Sequence, residues 1–106
     1  MRISEFQKKI EEMYFAKDSR RGPHATFCWF AEEVGELSRA LRKGDDANRR
    51  EEFADVLAWL STLASLHGID LEAVAVERYG KGCPRCGGTP CGCVEKPAPA
   101  GPSPAK

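Results

Sequence analysis

Across residues 3–79 the apolar side chains recur three and four positions apart, and no alternating run marks a strand before residue 80. That spacing restricts the chain to helices, each burying one side. The fold class is therefore all-α. The first segment, from Ile3 to about Ala16, sets Ile3, Phe6, Ile10 and Met13 together, with Ser4 and Gln7 as a capping box. The polar run 17–21 followed by Gly22 and Pro23 predicts a connection. The second segment, from His24 or Ala25 to Lys43, carries the stripe Phe27, Phe30, Val34, Leu37 and Leu41 and stops at Gly44, a residue suited to a left-handed cap. Asp45, Asp46 and Asn48 offer caps for a third helix ending near His67, and Asp70 caps a fourth that ends near Tyr79. Residues 1–80 thus read as a four-helix bundle. Residues 81–94 form a short Cys-rich appendage, and the Pro/Ala-rich residues 95–106 a disordered tail.

The third helix is apolar over about half its circumference, through Phe53, Val56, Leu57, Trp59, Leu60, Leu63 and Leu66. A helix of that kind is surrounded by its own neighbours or by a partner subunit. In so short a chain this implies a homodimer or a higher homo-oligomer. With 16 basic and 16 acidic residues the formal net charge is zero, which argues against nucleic-acid binding driven by phosphate contacts. No apolar run approaches membrane-spanning length and the first residues do not read as a signal peptide. The expectation is a cytoplasmic protein with no membrane partner.

Two helices carry paired carboxylates three residues apart, Glu33 with Glu36 and Glu52 with Asp55. Members of such a pair project from nearly the same side of a helix. Glu33 flanks the apolar stripe, with Trp29, Glu36 and Ala40 on its side, whereas Glu32 and Arg39 fall toward solvent. Glu52 projects inside the apolar arc and Asp55 at its edge. Carboxylates near a core need a cation or a basic partner, and four that converge repel one another unless divalent cations bind. Hard oxygen donors suit Mg²⁺ or Mn²⁺. Ion pairing with Arg39, Arg42 or Arg49 is the competing reading.

Glu32-Glu33-Val34-Gly35-Glu36-Leu37 followed by Glu52-Phe53-Ala54-Asp55-Val56-Leu57 resembles the EExxE…ExxD signature of the MazG-like, all-α nucleoside triphosphate pyrophosphohydrolases, and Gly68-Ile69-Asp70-Leu71 extends the likeness. The resemblance implies Mg²⁺ held by Glu33, Glu36, Glu52 and Asp55. It further implies cleavage between the α- and β-phosphates of a (deoxy)nucleoside triphosphate to monophosphate and pyrophosphate, a house-cleaning activity on the nucleotide pool. Trp29 and His24 are candidates to meet the base, and Lys43, Arg78 and Lys81, with Lys17, Arg20 and Arg21, to meet phosphate. The family often follows its fourth helix with a Lys…Asn…Arg pattern. Here Arg78-Tyr79-Gly80-Lys81 runs into the cysteines with no Asn. Two alternatives stand beside the enzyme: a non-catalytic helical interaction module, and a phosphoribosyl-ATP pyrophosphohydrolase.

Of five cysteines, Cys83, Cys86, Cys91 and Cys93 lie within eleven residues. The Cys83-x2-Cys86 half has zinc-knuckle spacing, while Cys91-x-Cys93 is short for a tetrahedral site. Structural zinc, disulfide pairing and free thiols all fit this pattern. Cys28, alone on a helix, reads as a small packing residue.

Overall fold

The computed structural model describes residues 1–99, and these contain three helices and no strand. Helix α1 spans Ile3–Lys43, α2 Asp46–Leu66 and α3 Leu71–Tyr79. The class is all-α, but the count of four helices is not reproduced. The expected connection at 17–23 contracts to one residue, Gly22, whose φ of 83° and ψ of 169° interrupt α1 without ending it. Such a backbone conformation is essentially confined to glycine. Pro23 needs no donor in the first turn after the break, and it disfavours helical geometry in the residue before it. The break is pinned from both sides. Thr26, fully buried, donates its hydroxyl to the Gly22 carbonyl at 2.7 Å and accepts from Arg21 Nε at 3.0 Å.

The caps of α2 and α3 follow the local sequence. Asp45 accepts from the Asn48 amide at 2.8 Å and Asp70 from the Ala73 amide at 3.1 Å. At the start of α1 the Arg2 amide donates to the Glu5 carboxylate at 2.6 Å, two residues before the position that a box of Ser4 with Gln7 would take. Gln7 is instead buried and tied across the bundle. Its amide donates to Ser65 Oγ and to the Ile69 carbonyl, and its oxygen accepts from the Leu71 amide at 2.9 Å. Gly44 ends α1 in extended geometry, not left-handed, and is needed for another reason. A Cβ there would stand 2.2 Å from Asn48 Oδ1 and 2.8 Å from the Ala40 carbonyl.

Helix α2 packs along α1, and α3 packs against the first turns of α1. The seam is narrow and made of small or polar residues: Ile10, Ala40 and Ala64 are the buried apolar side chains, beside Gln7, Asp18, Thr26, Ser61 and Thr62. The expected stripe does not form the core. Phe27, Trp29 and Phe53 are each more than half exposed, and Val34, Leu41, Leu57 and Leu60 are exposed as well. A long α1 with one full-length partner has too few layers to cover two apolar faces. Among the described residues no helix is long and apolar enough to cross a membrane. The expected tail, residues 95–106, lies outside the described residues from 100 onward, and residues 95–99 carry no secondary structure.

Candidate functional site

Helix α1 brings Glu33 and helix α2 brings Glu52 and Asp55 to the same point, where one carboxylate oxygen of each lies within 4.8 Å of the other two. Glu36, one turn beyond Glu33, is exposed and outside that group, but its charge still acts on both Glu33 and Glu52. Desolvation by burial, followed by the carboxylates of Glu52, Asp55 and Glu36, raises the pKa of Glu33 above the usual glutamate range. Desolvation also leads for Glu52, with Asp55 next and then Glu36. Like charges in a poorly solvated spot favour protonation unless a cation intervenes.

No cation among the described residues does so. Among the described residues the ion pairs are Arg2–Glu72, Arg21–Asp18 and Arg50–Asp46, and none includes the four acids. Arg39 and Arg42 border a shallow groove with Glu32, Gly35 and Glu36 instead of neutralising the cluster. Glu52 Oε1 is buried and has no hydrogen-bond partner. An orphaned buried carboxylate oxygen beside two further carboxylates is what a hard divalent cation satisfies, so these residues fit such an ion. The ion-pair reading has no support in the geometry.

Asp55 also lines a pocket of about 320 Å³ between α1 and α2, walled by Tyr14, Lys17, Asp18, Arg21, Trp59 and Thr62, with Ile10 and Ala58. Here Asp18 and Arg21 are paired. Asp18, buried, takes the Arg21 guanidinium at 2.5 Å on one oxygen and the Thr62 hydroxyl at 3.1 Å on the other. Arg21 also lies 4.9 Å above the Trp59 ring, a cation–π arrangement. Lys17 stands one turn before Arg21. These residues fall in the segment that reads as a linker, and the Lys17-x3-Arg21 spacing, with both residues on one helical side, is the signal that marks them.

The other candidates lie elsewhere. Trp29, His24 and Lys43 are exposed on α1, and none of them lines the pocket beside Asp55. Arg78 and Lys81 are exposed at the end of α3, where the Arg78 guanidinium lies 5.9 Å from the Tyr79 ring. Cys28 is exposed, not packed.

A second cluster gathers Cys83, Cys86, Cys91 and Cys93, all four sulfurs lying within 4.8 Å of one another. Sγ separations are 3.8 Å for Cys83–Cys93, 3.9 Å for Cys86–Cys91 and 3.6 Å for Cys91–Cys83. The Gly92 and Gly88 amides donate to Cys86 Sγ and hold that thiol down at about 6.

No curated protein matches the chain. The family model of the MazG nucleotide pyrophosphohydrolase domain matches residues 21–87, more than half the chain, and the match includes all four acids and the pair Cys83 and Cys86. The α-helical fold, the facing acids and this match agree, and the chain belongs to the MazG nucleotide pyrophosphohydrolase domain family.

Proposed function

We propose that the chain hydrolyses (deoxy)nucleoside triphosphates at the α–β phosphoanhydride, releasing nucleoside monophosphate and pyrophosphate, with Mg²⁺ or Mn²⁺ at the acids. The observation that carries this reading is the unpaired set Glu33, Glu52 and Asp55 with the orphaned Glu52 Oε1, in a chain of this family. Glu33, Glu52 and Asp55 would hold the ion, with Glu36 reaching it from the open side. Bound there, the ion supplies charge neutralisation of the polyphosphate and Lewis-acid polarisation of the scissile bond.

The protein's own groups do the rest. Lys17 and Arg21 stand along the pocket that begins at Asp55, placed to meet phosphate oxygens, while Tyr14 and Trp59 offer aromatic faces to the nucleoside. Asp18 keeps Arg21 oriented through its 2.5 Å contact. In this reading Tyr14 and Trp59, not Trp29 and His24, are the residues that meet the base.

A second copy of the chain covers the exposed apolar residues of α1 and α2 in this proposal, because faces carrying Phe27, Val34, Leu41, Phe53, Leu57 and Leu60 are costly in water. A cytoplasmic homodimer acting on the nucleotide pool is the form proposed. Light scattering on the purified protein would show twice the chain mass, and a monomer would refute the dimer.

The activity is tested with a panel of standard and modified nucleoside triphosphates, and phosphoribosyl-ATP, incubated with Mg²⁺. Pyrophosphate release from at least one nucleoside triphosphate is expected. Orthophosphate in its place would contradict the bond assignment. Turnover of phosphoribosyl-ATP alone would move the substrate, and inertness toward all, without Mg²⁺-dependent nucleotide binding, would favour an interaction module.

A further inference from the structure

The segment after α3 poses a folding problem that its own contacts do not solve. Residues 81–94 have neither helix nor strand and bury no side chain. Their internal backbone bonds are the Cys83 amide to the Gly88 carbonyl at 3.0 Å and the Gly87 amide to the Cys83 carbonyl at 2.7 Å. Two bonds and no apolar core do not offset the entropy of ordering so many residues. The segment nonetheless folds so that its four sulfurs converge on one point.

The dimensions of that convergence are informative. At a Zn–S distance of about 2.3 Å, the edges of a regular tetrahedron of sulfurs are about 3.8 Å. The close separations here are 3.6, 3.8 and 3.9 Å, and every other one is within 4.8 Å. A disulfide needs about 2.05 Å and divides four cysteines into two pairs. Here Cys83 and Cys91 each touch two sulfurs, so the group is a single cluster. Backbone N–H groups are aimed at sulfur as well: Gly88 at 3.4 Å and Gly92 at 3.2 Å to Cys86, and Cys93 at 3.3 Å to Cys91. Donors of that kind stabilise thiolate ligands.

We propose that Cys83, Cys86, Cys91 and Cys93 form a closed, structural site for one Zn²⁺ that holds the C-terminal segment folded at the end of α3. Four protein thiolates leave no open position, so the ion does no chemistry on substrate. Soft sulfur and hard oxygen donors also keep the two clusters apart in metal preference, zinc at the cysteines and Mg²⁺ at the acids. The Gly82 amide bonds to the Tyr79 carbonyl at 3.0 Å, which joins the folded knuckle to the helix. Arg78, Tyr79, Arg85 and Lys96 line the hollow between them. The site stands independently of the nucleotide reading, because none of its ligands belongs to the acid cluster.

The test is metal analysis of the full chain purified under reducing conditions, together with cobalt substitution. About one zinc per chain is expected, and Co²⁺ should give thiolate charge-transfer bands with the intense visible bands of a tetrahedral site. Cys86→Ser and Cys91→Ser should each lose most of the zinc, while Cys28→Ser keeps all of it. Wild-type protein free of zinc, bound iron, a cobalt spectrum without sulfur charge transfer, or full zinc in both serine variants would each overturn the proposal. Should the serine variants fail to fold, the wild-type stoichiometry and cobalt spectrum decide alone.

Discussion

Asp18 and Glu52 are both acids on the seam between α1 and α2, and they are treated in opposite ways. Asp18 is buried with both oxygens engaged, by Arg21 and Thr62. Glu52 keeps one buried oxygen without a partner and faces Asp55 and Glu36 as like charges. A fold that satisfies one acid so fully a few turns from the other has the means to pair both. In the proposed function the contrast separates a carboxylate that stabilises the fold from one held ready for a cation from outside. Activity and stability should therefore divide between them.

The sharpest way to break this contrast is Glu52→Gln. Turnover of nucleoside triphosphate should fall by more than the ~100-fold typical of residues that only orient metal ligands, with helicity by circular dichroism unchanged. A variant within a few-fold of wild type would return Glu52 to the ordinary surface acids. Asp18→Ala should do the reverse to the fold. It leaves the Arg21 guanidinium and the Thr62 hydroxyl without their acceptor. Since Arg21 keeps some solvent and its bond to Thr26, the expected loss is about 2 kcal/mol in urea denaturation. Gly22→Ala probes the backbone that positions Asp18 and Arg21. Space is open around the new methyl, so the cost is the backbone at φ 83° and ψ 169°, about 1 to 3 kcal/mol by the same measurement.

The smallest effect is in pH. The folded pKa values of Glu33 and Glu52 are raised, so the folded state binds the extra protons. Their contribution to stability is complete below the ordinary glutamate value of 4.5 and is lost as pH rises through the raised values. Glu72 runs the other way. The Ser4 amide and then Arg2 lower its pKa, so the stability it adds is present above 4.5 and lost as pH falls through its lowered value. In metal-free protein Glu52→Gln should therefore melt higher than wild type at neutral pH, and the gap should narrow as pH falls through the raised value and close below 4.5. A gap that is constant with pH would show that Glu52 is not strained as an anion.

Much of this was legible locally. Asp45 and Asp70 announce their helices because an N-cap depends on a few adjacent residues. Glu52 and Asp55 could be set side by side from their spacing, since three residues keep two acids on one helical side, whereas Glu36, at the same spacing from Glu33, lies outside the group. What failed depended on distant neighbours. Gly22-Pro23 reads as a linker, yet one residue of glycine geometry sufficed and α1 continued through it, carrying Lys17 and Arg21 into the wall of a pocket. Periodicity marked Phe27, Val34 and Leu41 as one face without saying what lies over it, and among the described residues these three stay exposed. Nothing local to Glu72 announces its partners, Arg2 and the Ser4 amide, which the fold brings to it across the bundle.

The claim that the unpaired acids await a divalent cation is tested most directly by Mg²⁺ titration of metal-free protein, read as the shift in melting temperature for wild type, Glu52→Gln and Asp18→Ala. Wild type and Asp18→Ala should both rise in Tm with Mg²⁺, the second from a lower start, and Glu52→Gln should not respond. A wild-type Tm indifferent to Mg²⁺ and Mn²⁺, or an undiminished rise in Glu52→Gln, would contradict the account.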